Sequence, residues 1–133
     1  MRKQFFAVAT FTIGVMMAVA VNAAEFTNHK GTVNVPDGMN TNQVQQAIIK
    51  AAIGRRWNIE EKEDGLVVLR LVHRGYDATL NITYDDNEVQ VYSDSWATKR
   101  NGDRKKRKDP EGWIENLKKD IGVFLAREAF LEP

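Results

Sequence analysis

Cysteine is absent from these 133 residues. That excludes disulfides, thiolate metal sites, a cysteine nucleophile and a lipidated N-terminal cysteine. Histidine is scarce. Only His29 and His73 occur, and neither has a carboxylate or a second histidine at metal-ligand spacing. No phosphate loop, dinucleotide fingerprint, internal repeat or low-complexity linker is present. The chain is too short for two ordinary domains. With 43% hydrophobic residues it is too apolar to remain disordered. One folded domain is expected.

The first residues read as an address. Met1-Arg2-Lys3-Gln4 is a basic head, Phe5 to Val21 runs 17 residues without a charge, and Val21-Asn22-Ala23 offers small residues at the positions a signal peptidase reads. This layout predicts a secretory signal peptide over residues 1–23, cleaved between Ala23 and Ala24. The rival is an uncleaved anchor. A spanning helix needs about 20 apolar residues, and this run is shorter and contains Thr10, Thr12 and Gly14. The expected mature protein is exported, periplasmic or secreted, with no transmembrane segment after cleavage. Residues 24–31 are expected as a flexible lead-in and 32–133 as a single α+β domain.

Loss of the leader changes the net charge from +1 to −1, because it carries two basic residues and no acidic one. The remaining charge is unevenly placed. Lys99, Arg100, Arg104, Lys105, Lys106, Arg107 and Lys108 are offset only by Asp103 and Asp109, a net of +5, while the rest of the mature chain sums to −6. A nearly neutral protein thus carries one concentrated cationic segment.

Thr32-Val33-Asn34-Val35 alternates and stops at Pro36, which predicts a short edge strand. Asn40 and Gln43 form a capping pair, with Met39 and Val44 as a hydrophobic staple. Val44, Ala47, Ile48, Ala51 and Ala52 make one apolar stripe. A helix over Thr41–Ile53, stopped by a left-handed Gly54, follows. Strands are predicted at Trp57–Glu60, Leu66–Arg74, Ala78–Tyr84 and Val89–Tyr92, separated by Asp64-Gly65, Gly75 and Asp85-Asp86-Asn87. Short connections imply an antiparallel meander. A second helix is predicted from cap Asp109 and first-turn Pro110 to about Phe130, with Trp113, Ile114, Leu117, Ile121, Phe124 and Leu125 as its apolar stripe. The expected fold is two-layer α+β in the order β-α-β-β-β-β-α, with both helices on one face of the sheet. The other face is wet, unless Val68, Val72 and Tyr92 form a strip for a partner. Thr98 to Lys108 is expected as a polar, cationic loop tipped by Asn101-Gly102.

Several of these segments together resemble a known family. They are the Val33-to-Pro36 strand, the helix ending Gly54-Arg55-Arg56-Trp57, Gly65-Leu66, Tyr92-Ser93-Asp94-Ser95, and Gly112-Trp113-Ile114-Glu115-Asn116-Leu117. Across most of the mature chain the pattern resembles a family of small bacterial exported proteins and lipoproteins of unknown function. The resemblance implies an envelope location and no known activity. The chain departs from it at Pro110-Glu111-Gly112, where the family often carries a Tyr-Asn pair. It also lacks the lipoprotein cysteine, so no lipid anchor is implied. The element order is similar to helix-grip folds, some of which hold a ligand between sheet and helix, but that is likeness of fold alone.

His73, Ser93, Asp94 and Ser95 contain the letters of a hydrolase triad. Adjacent strand residues point to opposite faces, however, and no glycine elbow flanks either serine. Asp94-Ser95 is read as a turn or cap, His73 as packing, and Glu60, Glu61, Glu63 and Asp64 as a solvated strand end. No catalytic residue, metal or cofactor is therefore assigned, and an enzyme is not expected. Trp57 and Trp113 are expected in the core. Trp96 either buries against the second helix, the favoured reading, or stays exposed as a contact residue. Arg55, Arg56 and Lys50 join the cationic segment if the first helix ends nearby. The functional expectation is a non-enzymatic envelope module that binds an anionic surface or acidic protein through Lys99, Arg100, Arg104, Lys105, Lys106, Arg107, Lys108 and Trp96. Nucleic acid is not an expected partner. A purely solubilising role for the loop, a carrier of a small apolar ligand held near Ile82, Tyr84, Phe124 and Trp113, and a hydrolase are the alternatives.

Overall fold

The capping pair works as its spacing demands. In the computed structural model, which describes residues 26–131, the Asn40 side chain accepts from the Gln43 N–H at 2.9 Å and the Gln43 side chain accepts from the Asn40 N–H at 2.9 Å. This starts helix α1 (Thr41–Gly54). Its apolar stripe, Val44, Ala47, Ile48, Ala51 and Ala52, is fully buried. The exit differs from expectation. Gly54 is the last helical residue, and Arg56 takes the left-handed conformation at φ 68°. The Arg56 N–H donates to Ile53 O at 3.0 Å and the Trp57 N–H to Ala52 O at 2.9 Å, the two bonds of a Schellman turn. The turn falls two residues past the glycine because the residue that follows it, Trp57, must enter the core, where it is 4% exposed.

The remaining elements are β1 (His29–Asn34), β2 (Asn58–Glu63), β3 (Leu66–His73), β4 (Tyr76–Tyr84), β5 (Glu88–Ser93), β6 (Trp96–Thr98), β7 (Arg104–Arg107) and α2 (Glu111–Leu131). All strand pairs are antiparallel, and the main sheet order is β1-β5-β4-β3-β2. Together they form the expected α+β fold of a meander, an edge strand and two helices, with two additional strands. Positive φ at both Arg74 and Gly75 makes the tight β3–β4 turn.

β5 and β6 line the same edge of β4 in one unbroken register: Leu80 faces Ser93, Asp77 faces Trp96 and Tyr76 faces Ala97. They are one long strand interrupted at Asp94-Ser95. On its far side β1 covers the β5 half and β7 the β6 half, end to end.

The helix-side face carries Val67, Leu69, Ala78, Leu80, Ile82, Val89 and Val91, all fully buried. Ile114, Leu117, Ile121 and Leu125 of α2 close over them, also fully buried. Each such side chain contributes about 1.5–3 kcal/mol by leaving water. Trp113 and Phe124 pack at the margin.

Three local expectations are corrected. β1 starts at His29, so His29 to Gly31 of the expected lead-in are strand, held by pairing with Tyr92 and Val91. The expected cationic loop is largely the β6–β7 hairpin, because the β6 half of the long strand offers a free edge for Arg104–Arg107 to pair with. Asp109 does not cap α2. Pro110 O accepts the first helical bond, from the Ile114 N–H at 3.1 Å. Asp109 instead sits where β1 and β7 meet. It accepts from Ser93 Oγ at 2.7 Å and Asn28 Nδ2 at 3.0 Å, and lies 3.3 Å from Lys30 Nζ. Ser93 Oγ is in turn 2.8 Å from Ser95 Oγ. This partly buried network ties β1, β5 and the start of α2 together. The signal peptide and its cleavage point lie outside the described residues.

Candidate functional site

The hairpin's shape follows from its turn residues. Asn101 Oδ1 accepts from the Asp103 N–H at 3.0 Å, Gly102 adopts φ 94°, and the Lys99 N–H donates to Asp103 O at 2.8 Å. Lys99 and Arg100 are thereby fixed at the tip, with Arg104 to Arg107 returning as β7. Every residue from Lys99 to Lys108 is exposed.

Trp96 opens β6 on the parity of Gln90, Tyr92 and Asp94, which is the sheet face away from the helices. It therefore does not bury against α2, as favoured from the sequence. Strand alternation sends it to the opposite side, where it is half-buried. Two arginines of β7 cover it, with guanidinium carbons 5.2 Å (Arg104) and 4.8 Å (Arg107) from the ring centre, within cation–π range. Its indole Nε1 is buried without a hydrogen-bond partner.

The same two arginines are anchored. Arg104 Nε lies 3.2 Å from Asp77 Oδ2, and Arg70 holds the same carboxylate through Nε at 3.0 Å and Nη2 at 3.1 Å. The Arg70 hydrogen bonds, opposed by burial and aided by Arg104, hold the Asp77 carboxyl below its ordinary value. Arg107 Nη1 lies 2.9 Å from Asp94 Oδ1, an ion pair without hydrogen-bond alignment.

The cationic segment thus divides in two. Arg104 and Arg107 are structural, fastening the hairpin to the sheet across Trp96. Lys99, Arg100, Lys105, Lys106 and Lys108 form no ion pair among the described residues. β7 is also an edge strand, and lysines there discourage pairing with other chains.

Arg55, Arg56 and Lys50 do not extend this patch as a unit. Lys50 pairs with Glu128 at 3.0 Å and Arg55 with Asp120 at 2.6 Å. Arg56 faces a concavity that sequence reading missed. That space, about 300 Å³, is bounded by the exit of α1, the end of β3 and the first turns of α2, with Trp57, Leu71, His73, Arg74, Trp113 and Asn116 also lining it. It joins the hairpin through aromatic contacts. Lys108 Nζ lies 5.8 Å from the Tyr76 ring centre, and Tyr76 lies 5.2 Å from Trp113.

The triad letters are not brought together. Ser95 bonds Ser93, Asp94 faces Arg107, and the His73 ring packs 6.0 Å from Trp113. Of the residues expected to hold an apolar ligand, Ile82 is fully buried in the main core cluster, Phe124 packs at its margin and Trp113 lines the concavity. Among the described residues no group of three His, Asp or Glu converges on a metal-sized site, and no helix is long and apolar enough to cross a membrane. Compared with protein-family models, curated proteins and solved structures, the chain matches none.

Proposed function

We propose that this protein is a non-enzymatic binding module of the bacterial cell envelope, which docks on an anionic surface through the β6–β7 hairpin. The observation that carries this reading is the division of labour in the hairpin. Two arginines anchor it, and five other cations remain exposed without ion pairs. Like charges gathered this closely repel one another, and a polyanionic surface relieves that repulsion. A basic side chain near an anionic lipid surface gains about 1 kcal/mol. The charged phosphate and carboxylate groups of envelope lipids and polymers supply such a surface. Export rests on the N-terminal leader pattern and belongs to the same proposal.

Sedimentation with anionic and with neutral vesicles, at low and at high salt, tests it. Binding is expected to anionic vesicles alone, and to fall as the Debye length shrinks from about 10 Å at 0.1 M to 3 Å at 1 M salt. A variant with Lys99, Lys105, Lys106 and Lys108 changed to Gln should lose it while keeping its circular dichroism. Equal binding to both vesicles, or none to either, refutes the proposal and leaves edge protection as the role of these lysines.

A further inference from the structure

We infer that the concavity beside Trp113 is a second binding site, for a small ligand that carries a carboxylate or phosphate on a single ring, aromatic or sugar. Its volume of about 300 Å³ is at the small end of the range for ligand sites. Its apolar side is built of packed aromatic rings. Trp57 and Trp113 meet edge-to-face at 6.2 Å, and Tyr76 and His73 brace Trp113 from other directions. A ring can lie against such a surface. Its polar rim is cationic and has no carboxylate in the lining. Arg55 is engaged by Asp120, but Arg56 and Arg74 form no ion pair among the described residues. Guanidinium groups match carboxylate and phosphate in geometry as well as charge.

Backbone conformation supplies an independent observation. Among the described residues three non-glycine residues have positive φ: Asn28, Arg56 at 68° and Arg74 at 47°. Asparagine tolerates this region, whereas arginine adopts it at a cost. Both strained arginines sit where a glycine or asparagine is the ordinary choice, one in a helix-ending turn and one in a hairpin turn, and both face the same concavity. Strain of this kind clusters at ligand clamps.

The site is tested by NMR titration of the full mature chain, following the three indole N–H resonances. The probes are 4-hydroxybenzoate, glucuronate, the neutral benzyl alcohol and inorganic phosphate. At least one ring acid should shift the Trp57 and Trp113 signals and leave Trp96 unmoved. An aromatic or a sugar ring as the better probe identifies the ring type. Benzyl alcohol and phosphate should bind about tenfold more weakly or not at all, each lacking half of the recognition. R56G and R74N place permissive residues at the strained positions, so each should melt no lower than wild type yet lose about tenfold in affinity, the equivalent of one charge-assisted hydrogen bond. The inference is overturned if neither ring acid binds, if benzyl alcohol or phosphate binds as tightly, or if both variants bind as wild type does. The Lys-to-Gln hairpin variant should retain ring-acid binding, which separates failure here from failure of the vesicle proposal.

Discussion

Asp77 offers a perturbation whose two consequences run in opposite directions. Its side chain is 9% exposed, whereas its partners Arg70 and Arg104 are 44% and 48% exposed. Asp77→Asn preserves shape but removes the charge that accepts three guanidinium hydrogen bonds. Hydrogen bonds to a charged group contribute about 1.5–3 kcal/mol each when well shielded. The half-exposed arginines recover much of that by rehydration, so a net loss of about 2 kcal/mol is expected. For a domain of this size that lowers the melting temperature by roughly 10 °C. Arg104 is at the same time released beside the free lysines, while backbone pairing with β6 and the Arg107–Asp94 ion pair still hold the hairpin in place. One more available cation should raise affinity for anionic vesicles about fivefold, the equivalent of about 1 kcal/mol.

Urea melts and vesicle sedimentation on the same preparation read both effects. The pH dependence fixes the sign independently. Because the folded carboxyl lies below its ordinary 3.8, its stabilisation is complete above that value and is lost as pH falls through the lower folded value. The wild type should therefore shed its advantage over D77N below about pH 4. Unchanged stability would show that Asp77 is not the hairpin's anchor. Weaker vesicle binding by folded D77N would show that a fixed hairpin, rather than available charge, decides docking.

Other parts of the scaffold give simpler expectations. Gly31→Ala should cost about 2 kcal/mol in urea melts, through disfavoured backbone geometry: Gly31 has φ 140°, and a Cβ there would lie 2.5 Å from Lys118 Nζ. Asp109→Ala should cost about 1 kcal/mol by removing the acceptor of hydrogen bonds from Ser93 and Asn28, and should raise amide exchange at His29 and Lys30. Burial pushes the Asp109 carboxyl up, but hydrogen bonds from Asn28, Ser93 and Lys30 outweigh it and hold it below its ordinary value. Its contribution too should be present above about pH 4 and fade in acid. Ile121→Ala should cost about 3 kcal/mol, since this fully buried side chain would leave a cavity between α2 and the sheet.

Signals carried by neighbouring residues were legible in the sequence. The Asn40–Gln43 pair, the stripe from Val44 to Ala52 and the Asp64-Gly65 turn each act within a few residues, and each takes the expected role. What depends on distant pairing was not. Nothing local marks Arg104–Arg107 as a strand, because its partner edge exists only once β5 runs on past Asp94-Ser95 into β6. Trp96 was recoverable, since its parity with Gln90 and Tyr92 already assigns it to the face away from the helices. The concavity was hidden for another reason. Gly54 looks like the helix stop, and only the packing of Trp57 moves the left-handed residue to Arg56. The expected site residues lie together in one hairpin, but they do different work.

That difference bears on how the molecule would meet a charged surface. Cations on a loose loop would have to be ordered on contact, at a cost to affinity. Here two of the seven are committed to Asp77 and Asp94, and the other five are presented on a structure already formed. Five acidic residues gather away from the hairpin. Glu63 and Asp64 of the β2–β3 turn lie beside Asp85, Asp86 and Glu88 of the β4–β5 turn, at the end of the sheet opposite the β3–β4 turn and the hairpin. Crowding is felt there. A hydrogen bond shared with Glu61, together with slight burial and the charges of Glu61 and Asp64, holds the Glu63 carboxyl above its ordinary value. A body polarised in this way is turned by an anionic surface before contact, basic end first. The concavity between Arg56 and Arg74 lies at that same end, linked to the hairpin through Tyr76 and Trp113. An orientation that seats the lysines therefore also brings the concavity toward the surface.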